Sequence, residues 1–71
     1  MSTTPPALIE IIIQRVVNRT GRRVRNLAVE VGLERVVLRG HADSFHVKQL
    51  AQAGAREALP GMFLENAIEV E

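Results

Sequence analysis

Val36-Val37-Leu38-Arg39-Gly40-His41-Ala42-Asp43-Ser44 decides how this chain folds, because a short alternating run there closes on a glycine and then on residues that cap helices. Val36, Leu38 and Gly40 share one side of an extended segment and Val37, Arg39 and His41 the other, the period-two pattern of a half-buried strand. Ser44, or Asp43 just before it, caps a helix that runs to Leu59 with Val47, Leu50, Ala51, Gly54 and Ala58 on its buried stripe. Pro60-Gly61 stops that helix, and Leu64, Asn66, Ile68 and Val70 line one side of a closing strand. Strand, helix and strand make a crossover, which is right-handed in about 98% of cases when the two strands run parallel in one sheet.

Upstream, Val24 to Val31 reads as a strand with Leu27, Val29 and Val31 facing one way and Asn26, Ala28 and Glu30 the other. Gly32 to Arg35 is short enough to make this strand and the next a hairpin. Gly40 has no side chain on an inward face, so a helix backbone or a bulky neighbour is expected to come close there. Before the hairpin, Leu8, Ile9, Ile12, Ile13, Val16 and Val17 fall on one arc at ~100° per residue, with Gln14 and Asn18 opposite. Thr4 can cap this helix, Pro5 and Pro6 fit its first turn, and Gly21 ends it. The β-branched residues from Ile11 to Val17 also suit a strand, but the end signals favour helix. The predicted order is αββαβ, an α+β fold with two helices on one face of a three-stranded mixed sheet. Residues 1–5 are expected to be a short disordered lead and residues 6–71 one domain.

The succession of strand, glycine, small residues, helix, Pro60-Gly61 and the closing Leu64-Glu65-Asn66-Ala67-Ile68-Glu69-Val70 resembles the BON domain, the module named for bacterial osmotic-shock and nodulation proteins. The resemblance covers nearly the whole chain, with Leu64, Asn66, Ile68 and Val70 standing at the closing V-x-N-x-I-x-V-like positions. It implies a non-catalytic module associated with phospholipid membranes or with other envelope components. Asn66, on the same parity as Leu64, Ile68 and Val70, reads as a structural asparagine whose amide satisfies backbone groups at a bulge or a helix end, ahead of a ligand or catalytic role that nothing nearby supports.

A chain of 71 residues buries only ~60% of its extended surface, so every element must contribute to one core. With no cysteine, neither disulfides nor thiolate zinc sites can supplement that core, and with 46% hydrophobic but 3% aromatic residues it must be aliphatic. The opening Met-Ser-Thr-Thr-Pro-Pro has no basic n-region or apolar h-region, and no run approaches the ~20 apolar residues that span a bilayer. As written the chain is expected to be cytoplasmic, in peripheral contact with a membrane.

Catalytic chemistry finds little support. His41, Asp43 and His46 are metal-ligating types, but a first-row metal needs three or four converging donors, and here one lies on a strand end and another on a helix flank. Ser44 beside Asp43 and His46 is too close in sequence to form a triad and already serves as a cap. The glycines sit singly, so no phosphate loop is present. No enzyme activity, metal or cofactor is expected.

Surfaces are the remaining candidates. Net charge is only +1, yet residues 1–40 carry seven arginines against three glutamates while residues 41–71 carry two cations against five acids. Arg15, Arg19, Arg22, Arg23 and Arg25 gather at the end of the first helix and the start of the first strand. Cations there complement the helix dipole; they also suit anionic phospholipid, with Ile11, off the buried arc beside Arg15, adding apolar insertion. A protein-association module, as a homodimer or in an envelope complex, is the alternative. It would use Val37 and Phe63 on the uncovered sheet face, or Phe45 at the start of the second helix, although a first-turn phenylalanine is expected to fold over the sheet end. The two sheet edges could also accept a strand from another chain. Nucleic acid is the weakest partner: the only aromatics are Phe45 and Phe63, and no GxxG loop joins two helices.

Overall fold

A computed structural model describes residues 6–71; Thr4, Pro5 and the lead of residues 1–5 lie outside the described residues. The chain folds as α1 (Pro6–Thr20), β1 (Val24–Val31), β2 (Arg35–Ala42), α2 (Phe45–Ala58) and β3 (Phe63–Val70), the αββαβ order read from the sequence. The strands form one mixed sheet in the order β1-β2-β3, with β1 antiparallel and β3 parallel to β2. Phe63 N–H donates to the Glu34 carbonyl at 3.0 Å where β3 begins, and Glu71 N–H to the Ala42 carbonyl at 2.9 Å just past its end.

Helix α1 forms despite its β-branched residues because its arc meets the core: Ile12 and Val16 are fully buried. Thr20 continues that arc one turn on. It is buried, and its hydroxyl donates to the Val16 carbonyl at 2.9 Å, so the polar group enters the core satisfied. Gly21, at φ +63, ends the helix, its N–H donating to the Val17 carbonyl at 2.9 Å. Ser44 caps α2 as expected, in an extended conformation with its hydroxyl accepting from Val47 N–H at 3.2 Å. The buried stripe of α2 is Val47, Ala51, Gly54 and Ala55; Leu50 and Ala58 are only half-buried, so the stripe lies rotated toward Ala55.

Val36, Leu38, Ala42 and Ile68 from the sheet meet Ile12, Val16, Val47, Ala51 and Ala55 from the helices in one aliphatic core. Each fully buried Leu, Ile or Val contributes ~1.5–3 kcal/mol. The helices cross where Gly54 faces α1: a Cβ at position 54 would lie 2.6 Å from the Arg15 carbonyl oxygen and 3.0 Å from Val16 Cα. Only glycine admits so close an approach of two backbones.

Strand β1 departs from the simple alternation. Its register against β2 runs Arg25↔His41 and then Ala28↔Arg39, so Asn26 and Leu27 stand opposite Gly40 alone and a bulge bends the edge strand. Asn26 takes the left-handed conformation (φ +54), which asparagine tolerates better than most residues. The extra residue lets Val24 and Leu27 both pack against the core. The same bulge explains Gly40. Its close neighbour is the β1 backbone and not a helix, since an added Cβ would lie 2.9 Å from the Arg25 carbonyl oxygen and 3.0 Å from Val24 Cγ1. Its φ of +153 independently excludes a side chain.

Asn66 faces the helices from the middle of β3. Its Nδ2 donates to the Lys48 carbonyl at 2.9 Å and reaches Gln52 Oε1 at 3.5 Å, while its Oδ1 accepts from Ile68 N–H at 3.2 Å. One carboxamide thus fastens α2 to β3 and satisfies a strand donor. This is the structural role expected for an asparagine among apolar neighbours.

Candidate functional site

The five arginines are not equally free of carboxylates. Arg19 pairs with Glu57 on α2, and Arg15 Nη1 lies 3.8 Å from the same carboxylate, so the α1 flank is partly neutralised where the helices cross. Arg25 pairs with Glu71. Arg23 donates from Nε to the Thr20 carbonyl at 2.9 Å, satisfying the last turn of α1 where its dipole favours a cation. Neither Arg22 nor Arg23 has a carboxylate partner among the described residues. Arg22 is exposed at φ +65, directly after Gly21. Ile11 is half-exposed beside Arg15, as its place on the helix predicts, but more than two turns of helix separate it from Arg22 and Arg23.

The uncovered sheet face offers less apolar surface at Val37 than the association reading expects. Val37 lies on it but is only 8% exposed, so it offers little to a partner. Its neighbours across the sheet are Glu30 and Glu65. Arg39 Nε donates to Glu30 Oε2 at 2.8 Å and Arg35 pairs with Glu65, so two diagonal ion pairs wall Val37 in. The apolar stems of these long side chains cover it while their charged heads stay in water. Each such exposed pair is worth only ~0–1 kcal/mol, and the arrangement solvates the face more than it stabilises the fold.

Three exposed apolar groups do stand out. Phe45 is 62% exposed and does not fold over the sheet end as expected; the cap at Ser44 fixes it at the outer start of α2. Phe63, 61% exposed, opens β3 beside the hairpin. Leu33, 87% exposed at the hairpin tip, escapes sequence reasoning, because a single leucine in a turn carries no periodic signal. Leu33 and Phe63 share one end of the molecule, since Phe63 N–H bonds to Glu34 and Phe63 pairs with Arg35.

Among the described residues no group of three or more His, Asp or Glu side chains gathers as a metal site, and His41, Asp43 and His46 do not converge. His41 Nδ1 is shielded from solvent and lies 3.2 Å from Glu71 Oε2, a close approach without the alignment of a hydrogen bond. The surface depressions lined by Gln49, Gln52, Ala53 and Arg56, and by Glu30, Val31, Gly32, Arg35, Val37 and Arg39, are open and contain no acid–base pair poised for proton transfer. No described helix is long and apolar enough to cross a membrane.

Comparison with protein-family models, with curated proteins and with solved structures returned no match for this chain. The likeness to BON domains therefore rests on the residues quoted for it.

Proposed function

We propose that this protein is a non-catalytic, BON-like binding module that associates peripherally with anionic phospholipid membranes through arginines at the α1–β1 connection. The observation that carries this reading is the pair Arg22 and Arg23, two exposed arginines without a carboxylate partner among the described residues. Basic residues close to an anionic bilayer contribute ~1 kcal/mol each, an attraction that falls off within the Debye length. Such a contact needs no pocket, and the reading draws on none.

A second reading, protein association, is favoured by the exposure of Leu33 and Phe63 at the hairpin end. One experiment separates the two. Co-sedimentation with phosphatidylglycerol-containing vesicles should exceed that with phosphatidylcholine vesicles and should weaken steeply as salt rises from about 50 to about 300 mM and the Debye length shortens. A chain that ignores both kinds of vesicle yet sediments as a dimer or larger species would reverse the order of the two readings.

A further inference from the structure

We infer that contact with the anionic membrane is made end-on, by the pole of the fold that carries Arg22, Arg23, Phe45 and Val70, and not by the α1 flank with Ile11, Arg15 and Arg19. The inference rests on the membrane reading above and names the surface that serves it.

The geometry of this pole follows from the strand register. Val24, Ala42 and Val70 lie side by side as the last rung of the sheet. Gly21, Arg22 and Arg23 enter the rung from α1, and Asp43 and Ser44 lead out of it to Phe45. The two connections therefore lie at one end of the molecule. Phe45 is largely exposed there, and Val70, on the inward parity of β3 at the end of the edge strand, is still 44% exposed. Basic groups beside an aromatic and a branched aliphatic side chain match the chemistry of an anionic interface, where charge meets the headgroups and apolar atoms enter below them.

Unpaired cations, and not net charge, select this end over the other. The pole holds Arg22, Arg23 and Arg25 against Asp43, Glu69 and Glu71; Glu71 is engaged with Arg25, while Arg22 and Arg23 have no carboxylate partner among the described residues. The opposite end exposes Leu33 and Phe63, but its Arg35 and Arg39 are both held in ion pairs, and Glu34 stands there without one. On the α1 flank, Glu57 stands among the arginines that would have to face lipid. The backbone adds a second argument. At φ +65 a glycine or asparagine would sit in the turn with less strain than Arg22, so turn geometry does not account for an arginine there.

The test is vesicle flotation with equal parts phosphatidylglycerol and phosphatidylcholine, using three variants whose folding is checked by thermal melting. Arg22→Gln/Arg23→Gln should weaken binding about thirtyfold and Phe45→Ser about tenfold, while Arg15→Gln/Arg19→Gln should change it by less than about threefold, through net charge alone. Phe45 is exposed, so its variant should melt with the wild type. If the wild type binds and the α1-flank pair loses affinity while the pole variants do not, the inference fails and the membrane reading stands. If the wild type binds no anionic vesicle, both fall. Loss of self-association in Phe45→Ser with vesicle binding intact would assign the pole to a second copy of the chain and overturn the inference.

Discussion

Gly54 shows two known effects of one methyl group in opposition. In an isolated helix, alanine is preferred to glycine by roughly 1 kcal/mol. Here the added Cβ would meet the Arg15 carbonyl oxygen at 2.6 Å and carbonyl carbon at 2.9 Å, backbone atoms that cannot rotate away. Overpacking of this kind costs typically ~1–3 kcal/mol, and more where nothing yields, so contact wins over propensity. Gly54→Ala should lower stability by about 1–2 kcal/mol and the melting temperature by about 10 °C. A variant that melts at or above the wild-type temperature would mean that the helices can separate freely. The need for glycine is legible in the sequence at this position, because a glycine inside an otherwise well-formed helical stripe weakens the helix unless a neighbouring backbone comes close. At Gly40 the need is legible but its cause is not. The crowding comes from a bulge at Asn26 and Leu27, and an asparagine in an alternating strand reads equally well as an ordinary outward residue.

Among the elements, α1 and α2 are joined at their crossing by the small-residue stripe and, at its rim, by Arg15 and Arg19 around Glu57. All three side chains are a third or more exposed, so the ion pairs are screened and the apolar contact does most of the holding. Glu57→Gln should therefore cost about 1 kcal/mol or less in urea denaturation, with an unchanged m value. A loss above about 2 kcal/mol would show the charged rim to be the main fastening. Most helix and strand boundaries among the described residues are readable in the sequence to within a residue, because caps, glycines and apolar period agree there. The pairing of charges is not. Glu57 lies 38 positions from Arg19 along the chain, and only the folded crossing brings them together, which is how part of a basic run in the sequence is neutralised in space. The covering of Val37 is hidden for the same reason: strand parity gives the face, but the neighbours that shield it come from other strands.

At the scale of the whole molecule, two unlike ends are joined by a charge-laced sheet, and β3 leaves one edge of that sheet open to another chain. The hydrogen bonding of β3 bears on this. Phe63 and Glu71 both turn their N–H groups toward β2, so the even-numbered residues between them turn theirs outward, to the unpaired rim of the sheet. Ile68 is one of these, and its outward N–H is taken by Asn66 Oδ1. The asparagine thus works as a guard as well as a clasp. It occupies a docking point that an incoming extended segment would use, midway along a regular, eight-residue edge with no proline to blunt it. Asn66→Ala should form thioflavin-positive aggregates within days, faster than Gly54→Ala, which is destabilised to a similar degree but leaves the rim protected. Equal aggregation of the two would trace the behaviour to lost stability alone. A side chain conspicuous for being polar among apolar neighbours would then owe its place less to the core it touches than to the fibril it prevents.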